Sequence, residues 1–140
     1  MNATQAYRAN QVLALNAWRL RHDAMVAMAM DGTARARRQA AALFDILHDR
    51  RFAVHQSLES LAVVSESGLV AAQVRVEAAM AELLAATDEV AARLDLIGLN
   101  QERERTRSQH RAAAGVHDIS LARGDRDQLR ARTRARAGVA

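Results

Sequence analysis

Residues 69–97 carry the clearest pattern in the chain, LVAAQVRVEAAMAELLAATDEVAARLDLI. Positions spaced alternately by four and three residues lie along one side of an α-helix, as in the apolar seam of a coiled coil. Seven of the nine positions with this spacing are large and apolar. The nine are Leu69, Gln73, Val76, Met80, Leu83, Thr87, Val90, Leu94 and Ile97. The spacing predicts a long helix that packs along this seam against another helix.

A second seam precedes the first one. Its positions are Ala40, Phe44, Leu47, Arg51, Val54, Leu58, Leu61 and Ser65. Between the two seams, residues 65–68 form the turn sequence Ser-Glu-Ser-Gly. If the chain reverses there, Leu58 faces Val76 and the two seams stay in register throughout. We therefore predict an antiparallel helical hairpin whose seam consists of Phe44, Leu47, Val54, Leu58, Leu61, Val76, Met80, Leu83, Val90 and Leu94.

Charge favours this pairing of the two seams. Residues 31–65 have a net charge of +1, residues 66–100 have −4, and residues 101–140 have +5. Opposite charges beside an apolar seam help to set which helices pair and in which direction. Arg51, which would face Leu83, is the one misfit, and we expect its long stem to carry the charge outward to solvent.

The composition predicts an all-α protein with a thin core. Alanine supplies 32 of the 70 hydrophobic residues, and alanine favours helix while burying little area. The chain has no proline to interrupt a helix. It also has no cysteine, which excludes disulfides and thiolate chemistry and fits a reducing compartment such as the cytoplasm. No apolar run approaches the roughly 20 residues of a membrane span.

We predict a single helical domain over residues 1–140, with helices at about 2–30, 33–65, 69–113 and 117–136. The dipeptide Asp31-Gly32 ends the first helix, with glycine as the helix breaker. Either Thr33 or Asp31 can cap the second helix.

The position of the first helix is left open by the sequence. It could continue into the second helix and lengthen the hairpin, which would place Trp18 near Val116 and Leu15 near Ile119. It could instead fold back at Asp31-Gly32 and complete a three-helix bundle. The first arrangement sets a methionine cluster against the polar run 101–111, which is a poor match.

The sequence offers no catalytic or metal-binding motif. Its six glycines are scattered, so no glycine-rich phosphate loop is present. Asp45 and His48 have a helical spacing that suits a metal ion, but a di-metal helical bundle needs a second such motif on another helix. No such motif occurs in residues 69–113. We expect no enzyme activity, no cofactor and no metal ion.

Two groups of residues are candidates for binding a partner. Trp18, Met25 and Met28 could form part of a bundle core, or they could line a groove, since methionine suits adaptable binding surfaces. Arg126, Arg130 and Arg134 share one face of the C-terminal helix and suit an acidic partner. We expect protein partners and leave a homo-oligomer open. Nucleic acid is not expected, because Asp125 and Asp127 dilute the basic face and no aromatic side chain lies among the arginines.

The layout resembles the central stalk proteins of type III secretion and flagellar export ATPases. Those are small antiparallel coiled-coil hairpins with a turn near mid-chain, and here the turn is near Gly68. Arg93-Leu94 and the run Asn100-Gln101-Glu102-Arg103-Glu104-Arg105 are similar to a charged stretch in their second helix. The resemblance implies a stalk that inserts into a hexameric ATPase and contacts the export gate.

Two other classes of protein compete with this hypothesis. A phasin-like coat of storage granules would present the apolar face of residues 12–30 to a hydrophobic surface. An arginine-tailed scaffold associated with nucleic acid would use residues 123–136, and its affinity would fall steeply with added salt.

Overall fold

The structure is a computed structural model that describes the backbone of residues 2–137 and the side chains of residues 2–114. It contains three α-helices, α1 (Ala3–Met30), α2 (Ala34–Val63) and α3 (Leu69–Ala137). A short 3₁₀ turn at Glu66–Gly68 precedes α3. Over the described backbone no strand occurs, so the all-α prediction is confirmed.

The chain, predicted as one domain, divides into two compact units. The first unit ends at Gln101 and contains α1, α2 and the first part of α3. The second unit begins at Glu102 and contains the remainder of α3.

Side chains cap the first two helices at their N-termini. Asn2 and Gln5 form a reciprocal capping box, in which each side chain accepts a hydrogen bond from the other residue's backbone N–H, at 2.8 and 3.0 Å. The Thr33 hydroxyl accepts from the N–H of Ala36 at 3.2 Å, so Thr33 is the cap of α2.

Helix α1 ends at Met30, and its C-cap residue is Asp31, one residue before Gly32. Among the described residues no glycine has a positive φ, so Gly32 does not act as a left-handed C-terminal cap. A Cβ atom at this position would instead lie 2.8 Å from Nε2 of Gln101 and 3.3 Å from the carbonyl oxygen of Ala29. Because Nε2 is the end of a flexible side chain that can move aside, the fixed constraint on a side chain at position 32 is the carbonyl oxygen of Ala29.

The first helix folds back and completes a three-helix bundle. Tyr7 contacts Glu77, and Trp18 and Arg21 contact Thr87 and Asp88, so α1 runs parallel to α3. The extended alternative, which placed Trp18 near Val116, is wrong.

The second helix runs antiparallel to both of its neighbours. On the α1 side, His22 lies against Phe44 and the Arg51 guanidinium lies over Trp18. On the α3 side, Arg50 pairs with Glu82 at 3.2 Å. The Arg50–Glu82 contact is within two residues of the register predicted for the hairpin.

The core of the first unit lies along the two predicted seams. Eight of the ten predicted seam residues are buried, and Phe44 and Leu94 are half-buried at the edge of the core. Leu15 and Trp18 of α1 join this core. Fully burying a side chain of this kind contributes about 1.5–3 kcal/mol. The eight buried seam residues are Leu47, Val54, Leu58, Leu61, Val76, Met80, Leu83 and Val90.

The third helix is longer than predicted. We expected a break between residues 113 and 117, but the backbone stays helical from Leu69 to Ala137. Gly115 lies between the two helices that were predicted, and a glycine inside a helix costs only about 1 kcal/mol. The alanines at 112–114 favour helix on the N-terminal side of Gly115.

Within the described residues, no helix has an apolar stretch long enough to cross a membrane.

Candidate functional site

Trp18 lies in the core of the bundle and makes a buried polar contact with α3. Its side chain is 4% exposed, and Nε1–H donates a hydrogen bond of 2.8 Å to Oγ1 of Thr87. Thr87 is wholly buried, and its hydroxyl donates at 2.6 Å to the carbonyl oxygen of Leu83, one turn earlier in α3. Both side chains therefore satisfy their hydrogen-bonding groups inside the protein.

His22 and Arg51 lie beside the Trp18 indole, and Phe44 packs against His22. The His22 ring stacks on the indole with centroids 4.9 Å apart, and the His22 and Phe44 rings meet edge-to-face with centroids 5.5 Å apart. The Arg51 guanidinium carbon lies 5.8 Å from the indole centroid, within the range of a cation–π contact. Arg51 thus has a partner on α1 and is half-buried, which corrects the expectation that its charge points away to solvent.

Ion pairs at the rim of the bundle connect α3 to both neighbours. Arg21 meets Asp88 at 2.8 Å, and Arg50 meets Glu82 at 3.2 Å. All four side chains are about half exposed or more. Exposed pairs of this kind contribute roughly 0–1 kcal/mol, so they help to define register more than they stabilise the fold.

Tyr7 lies near the start of α3. Its hydroxyl oxygen is 3.4 Å from the carbonyl oxygen of Gln73 and 3.4 Å from a carboxylate oxygen of Glu77, and it can donate to either. Burial, the negative charge of Glu77 and the hydrogen bond that the neutral hydroxyl donates to Glu77 all raise the pKa of Tyr7. The phenol is therefore held in its neutral form.

The candidate metal ligands lie on the surface of α2. Asp45 and His48 are both exposed. Among the residues whose side chains are described, no three histidine or carboxylate groups come close enough together to hold a metal ion.

The predicted partner-binding residues have different environments. Trp18 is buried in the bundle core, so its assignment to a free docking surface is corrected. Met25 is half-buried and packs against the core, whereas Met28 is 76% exposed. The predicted basic face of Arg126, Arg130 and Arg134 lies outside the residues whose side chains are described.

Most of the exposed large hydrophobic residues lie on α1 and α3, and sequence reasoning missed most of them. Ten of the thirteen exposed large hydrophobic residues are on these two helices, and three are on α2. Many of them alternate with exposed alanines along the outer sides of the two helices. We call the following exposed residues the α1/α3 face: Ala6, Leu13, Ala17, Leu20, Ala24 and Met28 of α1, with Val70, Val74, Ala81, Ala85, Ala92 and Leu99 of α3.

A second apolar pattern in the sequence could have revealed this face. Leu13, Ala17, Leu20 and Ala24 repeat the four-and-three spacing, but they lie on the opposite side of α1 from the core residues Leu15 and Trp18. A helix with two such patterns is apolar on two sides. One apolar side can pack in the core of the bundle, and the other apolar side then stays exposed unless a binding partner buries it.

The second unit has a different surface. Every described side chain from Glu102 to Ala114 is exposed. Arg103, Arg107 and Arg111 follow one another at intervals of four and so share one side of the helix. This stretch is a solvated, charged helix surface.

The bundle therefore pairs its buried polar side chains with one another or with the backbone, and most of its exposed large apolar residues lie on α1 and α3. No protein-family model, no curated protein and no solved structure matches this chain.

Proposed function

We propose that this chain is a non-enzymatic interaction protein that binds a protein partner through the α1/α3 face. The exposed apolar residues of this face carry the proposal. Leu13 is 65% exposed, Leu20 74% and Val74 57%, although each belongs to a helix whose other side is packed. Single exposed apolar residues are common on protein surfaces, but an aligned set of them is typical of a binding surface.

The polar groups of the interior give further support. Trp18 and Thr87 bond to each other, and among the described residues no buried side-chain nitrogen or oxygen lacks a hydrogen-bond partner. A catalytic or ligand-binding site usually presents polar groups inside a concave pocket. Here the buried polar groups bond to each other or to the backbone of the three helices. We therefore place the function on the outer surface of the bundle.

A photo-crosslinking experiment tests the proposal. The amino acid p-benzoylphenylalanine replaces Leu13 or Val74 in the α1/α3 face, and it replaces exposed Gln56 on α2 as the matched control. In the native host, we expect crosslinked products from the two positions in the face and none from position 56. Equal crosslinking at all three positions, or none at any, would contradict the proposal.

A stalk in an export ATPase is a more specific form of the same proposal. In the charged run that carries the resemblance, Asn100, Arg103 and Arg105 are exposed and Gln101 is half-buried. The resemblance implies a hairpin, and α1 adds a third helix to it. The test is a hydrolysis assay with the host's export ATPase, in which the added chain should raise ATP turnover. Unchanged turnover at saturating chain would exclude the stalk role and leave the broader proposal in place.

A granule coat is the competing proposal, and the exposure of Leu13, Leu20 and Met28 favours it. A coat protein should partition onto hydrophobic polyester granules from the host. It should also lose this partitioning when glutamate replaces Leu20. A chain that stays in the supernatant while it crosslinks to a protein through Leu13 would exclude the coat.

A further inference from the structure

We propose that α1 is a detachable helix, which moves away from the α2/α3 hairpin as one rigid element while the hairpin stays closed. The movement is a rotation about the link at residues 31–33. This inference goes beyond the proposed function and stands without it, because it concerns only how the three helices are held together.

Buried side chains are distributed unequally among the three helices. Helix α1 buries two of its 28 residues, Leu15 and Trp18, whereas α2 buries seven of its 30. Between Leu69 and Gln101, α3 buries six residues. Eight of the buried residues of α2 and α3 belong to the two seams of the hairpin. Since the burial of apolar area is the main source of stability, α1 is held less firmly than α2 and α3 hold each other.

The polar contacts of α1 can break without leaving an unpaired polar group inside the hairpin. When Trp18 leaves, the Thr87 hydroxyl still donates at 2.6 Å to the carbonyl oxygen of Leu83 in its own helix. The indole N–H of Trp18 reaches water as α1 departs. Asp88 is exposed, so water can replace Arg21 beside it. Opening therefore exposes apolar area but avoids the cost of an unpaired buried polar group.

The link between α1 and α2 can rotate without disturbing either helix. Asp31 has a nearly helical backbone, with φ −77° and ψ −6°, and Thr33 is extended, with ψ 162°. The Thr33 hydroxyl bonds to the N–H of Ala36 within α2, so α2 keeps its cap when α1 moves. Gly32 lies between them, and glycine has the widest range of backbone angles, so the rotation can be concentrated there.

Opening changes two surfaces of the protein. It uncovers the side of the hairpin against which Leu15 and Trp18 pack. It also divides the α1/α3 face, because Leu13 moves with α1 while Val74 stays on α3. A partner that contacts both helices binds only the closed form, and it therefore holds α1 in place.

Hydrogen–deuterium exchange of the full chain, followed by mass spectrometry, tests the opening. After correction for intrinsic rates, peptides from the middle of α1 should exchange about tenfold or more faster than peptides from the hairpin seams. Their exchange should also depend less on added urea, because opening exposes less surface than complete unfolding does. Equal rates and equal urea dependence in all three helices would mean that the bundle opens only by unfolding completely, and this would overturn the proposal.

Two crosslinks distinguish the detachment of α1 from general unfolding. The chain has no cysteine of its own, so a short bis-maleimide can join an introduced cysteine pair selectively. Arg21→Cys with Asp88→Cys replaces an exposed ion pair between α1 and α3, and this crosslink should slow the exchange of α1 about tenfold or more. Arg50→Cys with Glu82→Cys is the matched control, because it ties α2 to α3. The control crosslink should leave the exchange of α1 unchanged.

Each crosslinked chain is compared with the same double variant before crosslinking, so the loss of the ion pair does not enter the comparison. Equal slowing of α1 by both crosslinks would mean that α1 separates only when the hairpin itself unfolds, and it would overturn the proposal. No slowing by the crosslink between positions 21 and 88 would also overturn it, because α1 would then exchange without leaving α3. Both of these results would leave the proposed function of the α1/α3 face standing.

Discussion

Replacing Thr87 with valine should destabilise the bundle even though the shape of the side chain is nearly preserved. The valine removes the acceptor of the Trp18 Nε1–H bond, which is 2.8 Å long and buried. An unpaired buried donor costs about 1–3 kcal/mol, and the added methyl group returns at most about 0.8 kcal/mol. We therefore expect a net loss of roughly 1–2 kcal/mol in the free energy of unfolding. In a domain of up to about 100 residues, each kcal/mol lowers Tm by about 4–8 °C.

A double-mutant cycle separates the hydrogen bond from other effects of the substitution. Trp18→Phe removes the donor, and the double variant removes both partners. The two single losses should together exceed the loss in the double variant by about 1 kcal/mol. Urea titrations followed by far-UV circular dichroism measure the four free energies of unfolding, those of the original chain, the two single variants and the double variant. Trp18 is the only tryptophan in the chain, so its fluorescence reports the surroundings of this bond directly.

One result would refute this reasoning about the core. If Thr87→Val is as stable as the original chain and the tryptophan emission maximum does not move, the indole N–H does not depend on Thr87. The contact between α1 and α3 would then have to be reassigned.

Two further predictions concern the core and Tyr7. Leu83→Asp buries a charge at a position with 0% exposure and should lower the free energy of unfolding by several kcal/mol. Leu84→Asp is the control, because Leu84 is 45% exposed, and it should change the thermal midpoint little. Equal effects of the two substitutions would mean that Leu83 is not a core residue. Tyr7 is the only tyrosine, and its pKa is raised in the folded chain. The stabilisation that Tyr7 contributes is therefore present below about pH 10, and it is lost as the pH rises through the pKa of the folded chain. Ultraviolet absorbance titration should show a lower Tyr7 pKa in Glu77→Gln, and an unchanged value would exclude the influence of Glu77.

The hairpin could be predicted because the residues that determine it, two apolar seams and the turn between them, are close together in the sequence. The alternation of four and three around Val54 and Val76 fixes which side of each helix is apolar, and the turn at residues 65–68 fixes the direction of the chain. Two coincident patterns on either side of one turn leave little freedom in the register.

The role of the polar seam residues could not be predicted in the same way. Thr87 and Arg51 interrupt the seams, and within a two-helix hairpin neither has a partner. Both meet Trp18, which is far away in sequence and reaches them only because α1 folds back. The seam pattern describes how α2 and α3 pair, and it contains no information about a third helix.

The α1/α3 face was missed for a related reason. Small residues such as Ala17 and Ala24 are good helix formers, so their presence is explained without any partner. Only after Leu15 and Trp18 are seen inside the bundle does the exposure of Leu13 and Leu20 on the other side become informative.

The Trp18–Thr87 hydrogen bond also prevents α1 from sliding along its neighbours. A displacement of seven residues would keep apolar side chains against apolar side chains, and on an alanine-rich surface such a slip would meet little steric resistance. It would, however, bring the indole level with Met80 or Leu94, neither of which offers a side-chain oxygen. One buried polar pair thus selects a single register of α1 against α3, on a surface where the alanines would permit several.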